Sequence, residues 1–169
     1  RAGSAADRPG SGFSPRADYG SLRAMHGHRM LTSGWQQLSP ANGYEVPEPV
    51  TEAGEDEAFV KAMDTSAALY GAMAFRFPEQ ASYAVSLAYR LRYVMQMNAR
   101  EAMHLIELRT TPQGHPSYRV VAQEMHRLIG GKAGHRALAA AMSYAHHEVY
   151  ELERLASERA AAARRATLS

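Results

Sequence analysis

Apolar and polar residues alternate strictly along residues 89–97. The odd positions carry Tyr, Leu, Tyr, Met and Met, whereas the even positions include Arg90 and Arg92. This period of two predicts a half-buried strand with both arginines on the face away from the core. Asn98 follows at once and suits a helix N-cap, and Glu101, three residues later, completes a capping-box pattern. We therefore predict a strand that runs directly into a helix.

A different period marks the other elements. Apolar residues at alternating spacings of four and three predict a long helix with acidic residues in its first turn. Pro78 either ends this helix or begins a next, short one. Another helix is predicted from Ser117 to Gly130–Gly131, and a mostly exposed, charged one over 148–165. The predicted buried stripes are Phe59, Met63, Ser66, Tyr70, Met73 and Phe77 in the long helix, and Tyr118, Val121, Met125 and Leu128 in the next.

These elements predict an α+β fold, a helix-dominated domain with a small sheet. Residues 1–18 are rich in Gly, Ser, Pro, Ala and Arg, so we expect a flexible N-terminal arm there and a domain over residues 19–169. The stretch "LSPANGYEVPEPV" is expected to be a loop because its prolines block regular pairing.

Composition excludes several classes of function. The chain has no cysteine, which rules out disulfides, thiolate metal sites and an enzyme thiol. The net charge of +2 lacks the dense basic footprint of a dedicated nucleic-acid binder, so we do not expect a nucleic-acid partner. No apolar run is long enough to span a membrane, and the start lacks the apolar stretch of a signal peptide. We expect a cytoplasmic protein.

The predicted helix after the strand is unusually rich in hydrogen-bonding side chains. Asn98, Arg100, His104 and Arg109 lie within the stretch "MNAREAMHLIELR". A helix that only filled a core would not need them. Either this is a solvated face, or it is the wall of a site for something anionic and planar.

The stretch "YRLRYVMQMNAREAMHLIELRTTPQGHPSYRVVAQEM" resembles the C-terminal half of the flavin-dependent thymidylate synthases. That family has an apolar strand, Asn-x-Arg at a helix start, Leu-Arg at the helix end, a short loop and an amphipathic helix. Here these are Asn98-Ala99-Arg100, Leu108-Arg109, the loop "TTPQGHP" and the helix from Ser117. Upstream, "HGHRMLTSGWQQLSP" is similar to a decayed copy of the family's Arg-His-Arg motif, over a resemblance that covers roughly residues 19–145.

The resemblance implies a domain that binds FAD in sites shared between the subunits of a homotetramer. The implied reaction makes dTMP from dUMP, with methylenetetrahydrofolate as carbon donor and NADPH as reductant of the flavin. It uses no enzyme cysteine, in agreement with this composition. Family members have a further N-terminal portion before this region, which we expect to be cut away or supplied by another chain.

The resemblance also assigns roles to individual residues. Arg109 matches the arginine that reaches the pyrimidine, and His115 lies in the loop that closes on the nucleotide. Cations and helix N-terminal amides suit a diphosphate and the negative charge of a reduced flavin. The implied flavin-side residues are His28, Arg29, Asn98, Arg100 and His104, the last at a position where many members have Asn.

The departures concern nucleotide binding. Gln37 replaces the motif Ser, Ser39 an Arg for the nucleotide phosphate, and Tyr83 an Arg that grips the nucleotide. Gly27 replaces the first Arg of Arg-His-Arg, and Gln80 a Glu. Each lost charge-assisted hydrogen bond costs on the order of 1.5 to 3 kcal/mol. We therefore expect a pyrimidine nucleotide or related planar anion as ligand, with weak dUMP activity or none.

Other interpretations remain open at this level. A catalytically silent scaffold could keep the fold and contribute its surface to an oligomer. A basic C-terminal helix could contact nucleic acid through Arg154, Arg159, Arg164 and Arg165. His26 and His28 on one strand could hold a metal, although no carboxylate or third imidazole is placed nearby in the sequence. His146, His147 and Glu151 could also hold one, although His147 and Glu151 make an ordinary helical pair. Trp35 is expected to anchor a core or an interface.

Overall fold

The computed structural model describes residues 11–148, Arg159 and Arg164. Within them the chain forms two compact units, one of residues 11–13, 24–33 and 95–148, and one of residues 14–23 and 34–94. The strands are β1 (Ser11–Phe13), β2 (Arg16–Asp18), β3 (Thr32–Trp35) and β4 (Arg90–Met97). The helices are α1 (Tyr19–His26), α2 (Glu48–Glu52), α3 (Asp56–Ala74), α4 (Pro78–Ala81), α5 (Ala99–Arg109), α6 (Pro116–Gly130) and α7 (Arg136–Ala141). The predicted helix-dominated α+β fold with a small sheet is confirmed.

Strand β4 is the longest strand and pairs with the other three. Antiparallel pairing sets Arg16 of β2 opposite Arg92, and Ser11 of β1 opposite Met97. The predicted alternation is confirmed, because β4 buries its odd residues and leaves Arg92 and Val94 exposed. Because one face is buried, a shift of a single residue would move every side chain to the wrong face, so the pattern itself sets the register.

Residues 11–18 correct the prediction of a flexible arm over 1–18. They form β1 and β2 rather than an irregular segment. The physical reason lies in the backbone of β4, whose N–H and C=O groups need partners once buried. Tyr93 N, for example, donates to Pro15 O at 3.2 Å. Backbone pairing of this kind leaves no side-chain signature, so a composition of small and polar residues concealed it.

In the second unit, helix α3 confirms the predicted long helix but ends at Ala74, before Phe77. Asp56 and Glu57 lie in its first turn, as expected for the helix dipole. Only Met63 is fully buried on it, and Met63 packs with Val85 and Tyr89. The buried Tyr89 hydroxyl donates to the Met63 carbonyl at 2.7 Å, which ties the loop before β4 to α3.

In the first unit, α5 packs against α6. Helix α5 buries apolar residues such as Leu105 and Ile106, while α6 begins with Pro116 and ends at Gly130. The predicted end of α6 is confirmed, but its buried face is rotated relative to the prediction and includes polar residues. The fully buried residues of α6 are Arg119, Ala122, Gln123, Met125 and Ile129, with Tyr118, Val121 and Leu128 half-buried.

Two polar side chains explain the rotated face of α6. Arg119 donates to Glu148 O at 2.9 Å, and Gln123 donates to His146 O at 3.1 Å, so both anchor the segment that follows α7. Of the predicted exposed helix over 148–165, the structure describes Glu148, which is not helical, and Arg159 and Arg164, which are. Within the described part of the chain, no helix is long and apolar enough to cross a bilayer.

Candidate functional site

The junction between β4 and α5 places the first residues of the site. Asn98 is the N-cap, and its side-chain oxygen accepts a hydrogen bond from Glu101 N at 2.9 Å. The predicted cap is thereby confirmed, but the reciprocal bond of a capping box is not formed. The Glu101 carboxylate is directed instead at His28, with 2.9 Å between Oε1 and Nδ1. The Glu101 side chain, predicted to bond locally with the cap, thus makes a long-range contact with His28.

His28 lies in the turn after α1, so the expectation that it shares a strand with His26 is wrong. Its side chain is only 5% exposed and sits between Glu101 and Arg109. Arg109 Nε lies 3.4 Å from His28 Nε2, a long hydrogen bond in which the guanidinium can only donate. Burial, followed by the charge of Arg109, lowers the pKa of His28, while Glu101 opposes that shift. The ring is therefore held neutral.

Arg109 closes the last turn of α5, where a cation complements the helix dipole. Its guanidinium carbon lies 5.5 Å from the centre of the Tyr118 ring, which places the cation over an aromatic face. Gly114 makes this arrangement possible. A Cβ added there would lie 2.8 Å from Tyr118 Cε2, closer than real contacts allow. The loop between α5 and α6 thus needs a residue without a side chain to seat Tyr118.

Two more predicted residues surround this core of the site. His104 is exposed and meets His28 edge-on, with ring centres 5.5 Å apart. His115 is the N-cap of α6, and its Nδ1 accepts from Ser117 N at 3.3 Å. Its ring is 6.4 Å from that of Tyr118. The structure therefore gathers His28, His104, Arg109, Tyr118 and His115 along one continuous chain of contacts in the first unit.

Arg29 and Arg100 are also in the first unit, and both are exposed. Arg29 follows His28 in the turn, and Arg100 lies in the first turn of α5, beside the exposed N-cap Asn98. Neither arginine makes a hydrogen bond or an ion pair within the described residues. Two uncommitted cations and a helix N-terminus are suitable for a phosphate-bearing ligand.

The remaining predicted residues belong to the second unit, and the geometry above does not include them. Gln37 is exposed, and Ser39 precedes a 3-10 turn as its N-cap without making a side-chain cap bond. Tyr83 lies in another short 3-10 turn with 88% of its surface exposed. Trp35 is half exposed and, with Arg92 and Val94, lines a shallow concavity of about 400 Å³, rather than filling a core.

The metal interpretations gain no support from the described residues. His26 pairs with Ser33, 2.7 Å from Nδ1 to the hydroxyl, and His147 pairs with His126 at 2.6 Å between ring nitrogens. Among the residues that the structure describes, no group of three potential ligands comes together. Glu151 lies outside them.

Sequence reasoning missed two members of the site. Glu101 was assigned only a capping role, and Tyr118 only a place in the core of α6. For Tyr118 a signal existed, because Gly114 precedes it by one helical turn and Gly in a short loop commonly marks a close approach. For Glu101 no local signal distinguishes a capping glutamate from one whose partner lies 73 residues away.

Comparison with known proteins agrees with the fold and with the family resemblance. The family profile described as "Thymidylate synthase complementing protein" matches residues 14–135. A "UPF0159 protein" of Chlamydia muridarum (strain MoPn / Nigg) is 38% identical over 117 residues, covering 69% of this chain and 22% of its own length. "UPF0159 protein Ta1429" of Thermoplasma acidophilum is 32% identical over 148 residues, covering 86% and 29%. The chain thus spans less than a third of these relatives.

One solved structure shows the same fold at low sequence identity. It is described as a "UMP/dUMP methylase PolB from Streptomyces cacaoi bound with 5-Br UMP". It has a TM-score of 0.63 and 16% identity, and the match covers 76% of this chain and 72% of that one. At this identity the likeness concerns the fold alone. The family profile covers most of the chain, so the predicted membership is confirmed: the chain belongs to the thymidylate synthase complementing protein family.

Proposed function

We propose that this chain supplies the flavin- and nucleotide-binding part of a thymidylate-synthase-like methyltransferase that acts on a uridylate. The observation that carries the proposal is the chain of contacts from Glu101 through His28 to Arg109, which holds a guanidinium over Tyr118. Its terminal nitrogens have no partner among the described residues. A planar, bidentate donor of this kind suits the carbonyl oxygens of a pyrimidine ring.

The first unit also fits the FAD that family membership implies. Arg29 and Arg100 are exposed cations without partners in the described part of the chain, and the N-terminus of α5 offers backbone N–H groups. We assign these groups, with Asn98 and the exposed His104, to the cofactor. Bound FAD would supply the hydride-transfer chemistry, which no side chain here can perform. His28 then acts through Arg109 rather than by direct contact, since both its ring nitrogens are engaged.

Nucleotide phosphate binding is the part in which this chain departs from the family. Gln37, Ser39 and Tyr83 are neutral at positions where cations or the motif serine are expected. We propose that these three residues of the second unit contribute hydrogen bonds alone. In the first unit, we assign a hydrogen-bonding role toward the nucleotide to His115 at the start of α6. The affinity for dUMP is then weaker than the family arrangement would give, and the preferred uridylate can carry either ribose or deoxyribose.

NADPH and methylenetetrahydrofolate enter the proposal as cosubstrates, and a homotetramer in the cytoplasm as the working form. The competing function is a catalytically silent scaffold that retains the fold. The observation in its favour is apolar surface on the second unit, where Phe75 is 98% and Leu69 52% exposed. Such surface suits a protein partner. A scaffold requires neither cofactor nor nucleotide, so ligand binding separates the two.

The test is ligand binding by the purified protein with matched arginine variants. FAD is titrated and followed by its visible absorption and by fluorescence quenching. Arg100→Met is expected to weaken FAD binding roughly 10- to 100-fold, since one charge-assisted hydrogen bond is lost. Arg127→Met is the control, because Arg127 is exposed on α6 and its side chain, among the residues that the structure describes, pairs only with Glu124. An absence of FAD binding by the unsubstituted protein refutes the flavin assignment.

The second arm concerns the nucleotide. UMP and dUMP are titrated by calorimetry in the presence of FAD, with Arg109→Met as the variant and Arg127→Met again as the control. We expect Arg109→Met to weaken binding of either nucleotide. Release of tritium from C5-labelled nucleotide, with methylenetetrahydrofolate and NADPH present, then reports turnover. Binding without release supports a divergent substrate, whereas no binding of any of these ligands supports the scaffold.

A further inference from the structure

Glu101 presents a question that neither its sequence position nor the proposed function answers. Its side chain is only 10% exposed, although a glutamate in the first turn of a helix normally reaches solvent or the cap backbone. Burying a carboxylate is costly unless a donor compensates it. Within the described residues that donor is His28 alone. Glu101 is thus a buried carboxylate that pairs with a histidine 73 residues away instead of with the cap backbone, which indicates a role beyond capping.

The two hydrogen bonds of His28 determine where its proton is. Arg109 Nε carries a hydrogen and no acceptor lone pair, so the contact at 3.4 Å requires an unprotonated His28 Nε2. The remaining proton of the neutral ring then lies on Nδ1 and is donated to the Glu101 carboxylate at 2.9 Å. The negative charge of Glu101 favours this tautomer over the other. With the proton on Nε2, two donors would face each other.

The tautomer in turn fixes the orientation of Arg109. An arginine side chain is long and flexible, and it recognises a planar ligand well only when its guanidinium plane is already set. His28 engages the Nε edge of the group, and Tyr118 covers one face. Both terminal nitrogens stay uncommitted within the described residues. Glu101, His28, Arg109 and Tyr118 all belong to the first unit.

We propose that Glu101 is a positioning residue of the nucleotide site: through the Nδ1–H tautomer of His28 it orients Arg109 for a pyrimidine. The inference rests on the proposed function for the identity of the ligand. The contacts of His28 with Glu101 and Arg109 are independent of that function. The same logic operates wherever a carboxylate fixes the tautomer of a histidine that in turn serves a ligand.

The structural arm of the test is independent of any ligand. Nitrogen-15 NMR of the ring is recorded for the unsubstituted protein, for Glu101→Gln and for the control Glu124→Gln, an exposed glutamate on α6. We expect a pyrrole-like Nδ1 and a pyridine-like Nε2 for His28 in the first and third. Glu101→Gln should show a mixture of tautomers, because the amide can donate as well as accept. The dispersion of the same spectra shows whether each variant is folded.

The functional arm measures whether the effect of Glu101 on nucleotide affinity depends on Arg109. Affinity for UMP and dUMP is measured for Glu101→Gln, Arg109→Lys and the double variant. Glu101→Gln should weaken binding about tenfold, the equivalent of one misaligned hydrogen bond to a charged group. In the Arg109→Lys background the same change should have little further effect, since lysine lacks the Nε–H that His28 holds. Effects that multiply fully would overturn the inference, because Glu101 would then act elsewhere.

The two arms distinguish failure of the proposed function from failure of the inference about Glu101. If the unsubstituted protein binds no uridylate but His28 has the Nδ1–H tautomer that Glu101→Gln disturbs, the proposed function fails and the positioning of Arg109 stands. If His28 has its proton on Nε2 in the unsubstituted protein, the inference fails whatever the ligand. An Nδ1–H tautomer that Glu101→Gln leaves unchanged also overturns it, because the carboxylate is then not what selects the tautomer.

Discussion

The second unit has two buried tyrosines, and replacing each by phenylalanine should change the free energy of unfolding in opposite directions. Tyr93 is 1% exposed, and its hydroxyl has no hydrogen-bond partner in the described part of the chain. Burial, and then the charge of Asp18, raises the pKa of Tyr93, so the group stays a protonated and unsatisfied donor. Tyr89 is 4% exposed, and its hydroxyl donates to Met63 O at 2.7 Å. The two residues are therefore a matched pair.

The magnitudes follow from the cost of unmade hydrogen bonds. Leaving a buried polar group unsatisfied costs about 1–3 kcal/mol, part of which Tyr93→Phe recovers, less a small term for the void that remains. We expect the free energy of unfolding to rise by about 1 kcal/mol. Tyr89→Phe removes a satisfied bond, and the free energy of unfolding should fall by ~1 kcal/mol. The variants should then differ by roughly 2 kcal/mol.

Urea denaturation followed by circular dichroism measures the difference. A change in midpoint at constant slope reports stability alone, and the slope checks that both variants unfold in the same manner as the parent. Midpoint temperatures should move by roughly 2–4 °C per kcal/mol for a chain of this length. If Tyr93→Phe destabilises the protein as much as Tyr89→Phe, the Tyr93 hydroxyl has a partner, and the reasoning from burial is refuted.

Three further outcomes are expected. Gly114→Ala should displace Tyr118 at a cost of about 1–3 kcal/mol and weaken nucleotide binding, which calorimetry and thermal unfolding measure together; an unchanged protein would mean that the loop moves freely. Asn98→Ala should cost about 1 kcal/mol in unfolding free energy and Asn98→Asp much less, since only alanine loses the cap. His28 has a lowered pKa, so its share of stability is present above pH 6.5 and is lost as the pH falls below 6.5, with a slope of at most ~1.4 kcal/mol per pH unit. A His28→Gln variant should lose this contribution and show a shallower slope, which a pH series of urea midpoints checks.

Local patterns predicted the elements well where side chains carry the signal. The alternation of β4 and the cap at Asn98 depend on neighbouring residues, and both are confirmed. Strands β1 and β2 were not predicted because their pairing depends on backbone groups. The buried face of α6 was not predicted correctly because Arg119 and Gln123 are buried through hydrogen bonds to distant carbonyl groups. The periodicity of hydrophobic residues cannot reveal such bonds.

The site was predictable in part for the same reason. His28 and Arg109 carry a recognisable motif, and they do lie together in the first unit. Their connection through Glu101 was not predictable, because the choice between a capping bond and a histidine depends on the path of the chain between residues 28 and 101. The roles assigned to Gln37, Ser39 and Tyr83 stay predictions.

The junction between β4 and α5 consists of the single residue Asn98. With 3.6 residues per helical turn, one inserted residue would rotate α5 by about 100° and carry Glu101 and Arg109 away from His28. One deleted residue would rotate it as far the other way. Scanning the chain with one-residue insertions should therefore find this junction intolerant. Gene libraries that vary segment length in this fold should therefore keep residues 97–99 at their present number.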